Sequence, residues 1–490
     1  MPEERTEGTG ESVPASLAGK FLALFTISFW KNWFLRPCGG WEVLRLGTPI
    51  VISSGTLALM NFADRLYLTW FDQTGMAAAF QAGTLMWLLT TFPVAIAAYT
   101  NAFVSQYNGA KEYRKIGENV WQGVFFGLAA GLIFIAATPL VTPFFRWLGA
   151  SGEMLKFEGE YWFWLSLGAS ALIAHEPFTS YFCGRHDMKT VMGVGITVVL
   201  VNAALDPLLI FGIHGHLRFG VVGAAIASTI SLWFKFFLYL AIALHRDKKW
   251  QCGLRDGCRL RLHELGRLAR FGSMSAFQVV AENSCYTLFI LLMNRYGEAP
   301  SAAAAIAFNL DFLVYLPTTG LGIATTALVG NQIGARRPDL ASRAVFTTFV
   351  LAAIWTGIFV SAFVIAPNFF LGLYAHNNPV EFETIRQAAI YSLRFVSCCL
   401  FFDTLDVIFT AALRGAGDTR FIMTTTLIVA SFTLTAIVVG TCVGHFGYLW
   451  PWSCMACYVT TNATIFLIRF LQGGWRKHSL VEGAAEAQAA

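Results

Sequence analysis

Charge is what this sequence has least of. Asp, Glu, Lys and Arg make up 13% of its 490 residues, about half the share of a soluble globular chain. So little charge on a chain this long argues against a water-surrounded fold and for the bilayer as solvent. Basic stripes interleaved with aromatics are missing as well, and the net charge is only +5; no nucleic-acid partner is expected. There is no Walker motif and no strand to precede one, which argues against ATP-driven work by this chain alone. The nine histidines are scattered, with no His-Glu-x-x-His pattern among them. No cofactor and no enzymatic chemistry are expected. The opening residues, Met1 to Ser16, are polar and lack a signal-peptide pattern, which predicts a cytoplasmic tail.

Apolar residues, in contrast, reach 56%, with 44 Phe. From Trp41 onward, long apolar runs alternate with short polar breaks. Twelve are recognisable: 43–69, 76–105, 119–142, 160–182, 190–212, 221–245, 267–295, 300–330, 342–366, 386–412, 421–443 and 450–470. Each is long enough to cross about 30 Å of hydrocarbon at 1.5 Å per residue. Without water, helices are the economical way to satisfy their backbones. Residues 21–34 are apolar but short and interrupted by Lys31, so an interfacial helix is expected there. The ten cysteines lie mostly in apolar stretches and read as packing residues. Cys252 and Cys258 share a basic loop.

Loop charges set the orientation. Loops after even-numbered runs carry Lys111, Arg114 and Lys115; Arg185 and Lys189; Arg246, Lys248, Lys249, Arg255, Arg259 and Arg261; Arg336, Arg337 and Arg343; and Arg414 and Arg420. The alternate loops hold scattered Arg146, Lys156, Arg218 and Arg295. By the positive-inside rule, the even loops and both termini are cytoplasmic, as in a multi-pass protein of a bacterial inner membrane.

The halves resemble each other. Gly47 and Gly272 are separated by the same 225 residues as Gly109 and Gly334, which stand in Gln106-Tyr107-Asn108-Gly109-Ala110-Lys111 and Asn331-Gln332-Ile333-Gly334-Ala335-Arg336. Pro93 and Pro317 fall within spans 2 and 8. Spans 4 and 10 lead to Cys183-Gly184-Arg185-His186-Asp187 and Arg414-Gly415-Ala416-Gly417-Asp418. The repeating unit is six spans, an even number, so both copies share one topology about an axis along the membrane normal. The expected organisation is a tail with interfacial helix over 1–41, an N-lobe of spans 1–6 over 42–245, a basic linker over 246–266, a C-lobe of spans 7–12 over 267–470, and a tail over 471–490.

Ionisable residues inside the spans cost about 2.5–3.5 kcal/mol each at a helix centre and need a partner, water or a purpose. They are Asp64, His175, Glu176, Asp206, Lys235, Glu282, Asp311, Asp403 and Asp406. Asp403 and Asp406, three apart, share one helical face. With Glu282 opposite, they would make an acidic cavity suited to Na⁺, a proton or a cationic substrate. Asn202 and Asp206 also share a face, and Pro207 frees carbonyl oxygens beside them, a setting that suits Na⁺. Lys235 reads as a snorkelling residue near the cytoplasmic end, and Asp311 as lying near the outer rim. Arg65, adjacent to Asp64, points about 100° away from it on a helix and is expected to snorkel outward.

These landmarks in this order resemble the multidrug and toxic compound extrusion (MATE) transporters, over nearly all of residues 42–470. They are the span-1 acid Asp64, the Gln-x-x-Gly-Ala-type ends of spans 2 and 8, Asn202 to Asp206-Pro207, and Leu413-Arg414-Gly415-x-Gly417-Asp418. The resemblance implies two six-helix bundles facing a cleft that opens to alternate sides. It implies export of organic, often cationic, compounds in exchange for Na⁺ or H⁺. Asp64, Asn202, Asp206 and Ser228 match the family's N-lobe cation cluster. Glu282 and Asp403 match the span-7 and span-10 acids of its NorM branch. Na⁺ would be held at Glu282 and Asp403, or at Asp64 and Asp206. Asp406 and Asp311 go beyond the family pattern, and Cys399 stands where NorM proteins often carry a hydroxyl-bearing aromatic. Partners would be small organic molecules and membrane lipid, with the chain acting as a monomer. A flippase for lipid-linked precursors, from the same superfamily, and a membrane-embedded transferase are the alternatives. The acidic rather than cationic spans speak for cationic cargo.

Overall fold

The computed structural model describes residues 31, 33–212, 219–372, 374 and 379–481. Most of the segment expected at the interface, residues 213–218 and the Arg65 side chain lie outside the described residues.

The described chain is a succession of long helices. Span 1 is Gly40–Phe71; span 2 is Gln73–Ala98 continued by Thr100–Gly109; span 3 is Tyr113–Trp147. Span 4 is Gly152–Ala174 continued by Glu176–Gly184. Spans 5 and 6 are Met188–Ile210 and Val221–Trp250. The second half repeats the series: Leu262–Met293, Glu298–Gly334, Pro338–Ile365, Pro379–Ala416, Thr419–Val438 with a π-helical end at Val439–Val443, and Leu449–Leu471. Among the described residues, ten helices are long and apolar enough to cross a membrane by length and composition. Spans 1 and 4 complete the twelve; span 4 begins with the acids Glu153, Glu158 and Glu160, which lower its hydropathy. Most helices overrun the apolar windows. Span 3 starts at Tyr113 and span 10 reaches Ala416, because a nucleated helix adds one hydrogen bond per residue as it extends into the polar zone.

The duplication is visible in the backbone. Lys111 and Arg336, just beyond the two Gly-Ala pairs, both adopt left-handed conformations, with φ of 63° and 57°. His186 and Gly417, before Asp187 and Asp418, do the same at 61° and 96°. Each ends a helix in a left-handed turn that satisfies its last carbonyls: Glu112 N donates to Tyr107 O, Asp187 N to Phe182 O, Arg337 N to Gln332 O and Asp418 N to Leu413 O.

Packing divides the molecule along its length. At the end carrying the basic loops, both halves share one core, which joins Val43, Phe103 and Phe178 to Ala327, Leu413 and Phe470. At the opposite end each half has a core of its own. Leu68, Trp162 and Val221 belong to the first half, and Phe289, Phe363 and Trp452 to the second. The halves are therefore joined at the basic end and packed separately at the other.

Glycine makes that junction possible. A Cβ built on Gly109 would fall on the carbonyl oxygen of Asn331, and one on Gly334 would fall on the carbonyl oxygen of Gln106. The ends of spans 2 and 8 thus cross backbone to backbone, each through the other's glycine. Farther in, Gly47 meets Leu321, Gly320 meets Val51 and Gly272 meets Ile96. The linker after span 6 is also tied down. Gly117 N donates to Cys252 O (3.0 Å), Trp121 Nε1 to Leu254 O (2.7 Å), and Gln122 Nε2 to Arg259 O (2.9 Å). This arrangement buries Cys252 and leaves Cys258 exposed, so the two thiols of the basic loop do not converge.

Two outcomes follow from this packing. Gly109→Val or Gly334→Val should destabilise the joined end by about 1–3 kcal/mol through overpacking, read as a lower unfolding temperature of the detergent-solubilised protein. Unchanged unfolding in both would mean that the helix ends do not meet this closely. In the linker, burial pushes the Cys252 thiol up, so the reactive thiolate is scarcer there at neutral pH. In a chain retaining only these two cysteines, maleimide should modify Cys258 and spare Cys252. Equal modification of both would contradict the packed linker.

Candidate functional site

Between the halves lies a cavity of about 380 Å³, within the range of small-molecule sites. Its acidic wall comes from spans 7 and 10. Gln278, Glu282 and Tyr286 recur every four residues on span 7, and Asp403, Asp406, Thr410 and Arg414 form a stripe on span 10, so each set faces one way. Aromatic rings complete the lining: Tyr315 from span 8, Tyr458 from span 12 and, from the first half, Tyr99.

Hydrogen bonds connect these groups. Arg414 Nη2 donates to Gln278 Oε1 (2.9 Å), and Gln278 Nε2 donates to Glu282 Oε1 (2.8 Å). One amide thus relays the guanidinium to the carboxylate. Asp403 shares a small pocket with Tyr286 and has Asp311 and Glu282 as charged neighbours. Asp406 faces both Glu282 and Asp403, and among the described residues its Oδ1 oxygen has no hydrogen-bond partner. Several carboxylates against one guanidinium leave an excess of negative charge in a low-dielectric setting. Such a site takes a proton or a cation.

The three C-lobe acids expected from sequence, Glu282, Asp403 and Asp406, are therefore brought together. Three other expectations are corrected. Asp311 does not lie at the outer rim; it shares a small pocket with Asp403, Cys399 and Trp452, because span 8 already packs on span 10 at that depth. Arg414 is not a loop charge; the last turn of span 10 turns it into the cavity. Lys235 does not snorkel away, but has Glu176 as its charged neighbour. Glu176 lines the cavity from the first half. Its Oε1 lies 3.4 Å from Nδ1 of the buried His175, whose ring is edge-on to Tyr239. Sequence reading missed Gln278, Tyr286, Tyr315 and Tyr458. The four-residue spacing of Gln278, Glu282 and Tyr286 was a legible signal. Tyr315 and Tyr458 gave none, since an aromatic in a span is ordinarily packing.

The four N-lobe residues also converge. Asp206 is fully buried and Asp64 is 9% exposed. The Asn202 amide directs its nitrogen at both carboxylates, 3.0 Å from Asp64 Oδ1 and 3.2 Å from Asp206 Oδ2; the opposite orientation would press oxygen against oxygen. Ser228 Oγ donates to Asp64 Oδ2 (3.3 Å). Among the described residues, Asp206 Oδ1 has no hydrogen-bond partner. Pro207 lies one turn before the end of span 5 and offers no N–H to the carbonyl four residues earlier. The donor set is oxygen-rich and suits a hard cation. No group of three or more His, Cys, Asp or Glu placed to ligate a metal occurs among the described residues.

Removing the amide tests this cluster. Asn202→Ala should destabilise the protein by about 1–3 kcal/mol, since two buried carboxylates lose their shared donor. Adding Asp206→Asn, which deletes one of the facing charges, should recover part of the loss. Additive effects in chemical or thermal unfolding would mean that Asn202 does not bridge the pair.

Known proteins share this architecture. The chain is 26% identical over 385 residues to the probable multidrug resistance protein NorM of Xanthomonas campestris pv. campestris, covering 76% of this chain and 81% of that one. It is 24% identical over 381 residues to the multidrug resistance protein NorM of Burkholderia vietnamiensis, covering 77% and 82%. Among solved structures, a MOP superfamily transporter from Pyrococcus furiosus superposes with a TM-score of 0.78 at 20% identity, covering 91% of this chain and 98% of that one. A multidrug resistance MATE family transporter in an outward-facing conformation also gives 0.78 at 20% identity, covering 89% and 96%. The MatE family itself matches residues 49–208 and 275–440, one stretch in each half. With most of its spans inside those two stretches, the chain belongs to the MatE family, on its NorM-like side.

Proposed function

We propose that this protein is a secondary active antiporter that exports hydrophobic organic cations, drugs and toxins among them, in exchange for Na⁺ or H⁺. The observation that carries the reading is the central cavity: Glu282, Asp403 and Asp406 on one wall, Tyr99, Tyr286, Tyr315 and Tyr458 around it. Carboxylates supply charge recognition, and ring faces accommodate apolar or cationic aromatic surface without fixing one shape. The NorM relatives are described as multidrug resistance proteins, which agrees with so permissive a lining. Family membership sets the transferase aside, and the acidic wall favours cations over lipid-linked phosphates.

In this reading the basic loops face the cytoplasm. The structure, joined at that end and separately packed at the other, then corresponds to the outward-open arrangement. Glu282 takes part in both halves of the exchange. With a proton or Na⁺ nearby, the acidic stripe is neutralised; with an organic cation bound, the substrate supplies that charge. Two ligands that need the same carboxylates compete, and competition across two conformations is what makes exchange obligatory. Gln278 holds the Glu282 carboxyl in place while Arg414 offsets one negative charge. Asp64 and Asp206, bridged by Asn202 beside Ser228, form a second cation site in the N-lobe, away from the cavity.

Proteoliposomes loaded with a fluorescent organic cation provide the test. Efflux should follow an imposed Na⁺ or pH gradient. Glu282→Ala and Asp403→Ala should each reduce it to the level of empty liposomes while leaving expression and oligomeric state as in the parent. Parental efflux in both variants would defeat the assignment.

A further inference from the structure

Residues 472–481 do not leave the joined end; they turn back beneath it. Gly473, at φ 73°, ends span 12, and Gly474–Lys477 make a 3₁₀ turn. Trp475 is fully buried, stacks on Phe470 with ring centroids 4.8 Å apart, and donates through Nε1 to the Phe470 carbonyl (2.8 Å). Leu480 and Val481 are buried within the core shared by both halves. The Leu480 side chain covers the left-handed Gly417.

The backbone of Leu480 is held on both sides. Its N–H donates to Gln106 Oε1 (2.7 Å), and its carbonyl accepts from Arg267 Nη2 (2.6 Å). Gln106 is fully buried and spends its amide twice, because Nε2 donates to the Gly415 carbonyl (2.9 Å). One side chain of span 2 therefore ties the first half to span 10 and to the tail of the second half. Both bonds cross the boundary between halves. They exist only while the basic end is closed, and parting the halves there would leave a buried amide and a buried backbone N–H without partners.

We infer that residues 474–481 are a latch: the tail seats on Gln106 when the basic end closes, and its release is part of opening that end. It rests on the antiport reading only in taking opening as part of the working cycle. The test needs no cargo, so its outcome is independent of what the protein carries. A full-length chain retaining Cys183 as its sole cysteine reports on opening, since this residue lines the cavity and is 2% exposed. In inside-out vesicles, a membrane-impermeant maleimide reaches Cys183 only when the basic end opens.

Leu480→Pro, which removes the N–H, should speed labelling about fivefold, the worth of one net hydrogen bond. Gln106→Met, which keeps buried volume but removes both bonds, should speed it by at least as much. Leu480→Ile, which keeps the N–H and the bulk, should label at the parental rate and guards against a folding defect. Parental labelling in Gln106→Met, or equal acceleration by Leu480→Ile and Leu480→Pro, overturns the latch. Acceleration seen in right-side-out vesicles instead supports the latch and reverses only the orientation.

Discussion

A carboxylate in hydrocarbon must be neutralised, and the internal arrangement of this protein answers that requirement twice. In the N-lobe the answer is local: Asn202 stands between Asp64 and Asp206, and Ser228 donates to Asp64. In the C-lobe it is incomplete. Arg414 reaches Glu282 only through Gln278, and Asp403 and Asp406 face the same space. The first cluster is sealed by helices and the second opens on a cavity. In the exchange proposed above, the accessible deficit of positive charge would receive the substrate and the sealed one a small ion.

The junction of the halves is the mechanical counterpart of that electrostatic design. A shared core at the basic end, with glycines receiving backbone from the opposite helix, lets spans 2 and 8 approach more closely than side chains would allow. Such contacts are sensitive to displacement because no flexible side chain takes up the gap. In the exchange proposed above, separation at that end would be all-or-none in character, as expected of packed interfaces with two discrete arrangements. The tail adds directional bonds to an otherwise apolar seam. Gln106, satisfied at both ends of its amide, is the polar element that distinguishes correct closure from mere hydrophobic contact.

The polar network of the first half differs from that of the second, where Arg414, Gln278 and Glu282 are linked. His175, Glu176 and Lys235 cluster where span 4 breaks, and Glu176 lines the same cavity as Glu282 and Asp406. The two lobes are related in backbone, down to left-handed residues at matching turns, yet they have diverged in the charges they present. Each half brings its own set of buried charges to a common fold.

The chain by itself determined how many helices cross the membrane, which loops are basic and where the duplication falls, because apolar length and loop charge are local properties that a bilayer reads directly. Spacing alone put Asn202 and Asp206 on one face; that Asp64 and Ser228 join them was implied only by the resemblance to the family. Tertiary structure alone decided which neighbours those acids have. Asp311 stands behind Asp403, Arg414 turns inward from what looked like a loop, and Lys235 meets Glu176. These pairings join residues on different helices, far apart in sequence, or depend on a side chain's rotation about its helix, and neither quantity is encoded in hydropathy. The seat of the tail on Gln106 belongs to the same class, since a short polar segment after the last span reads in sequence only as an end.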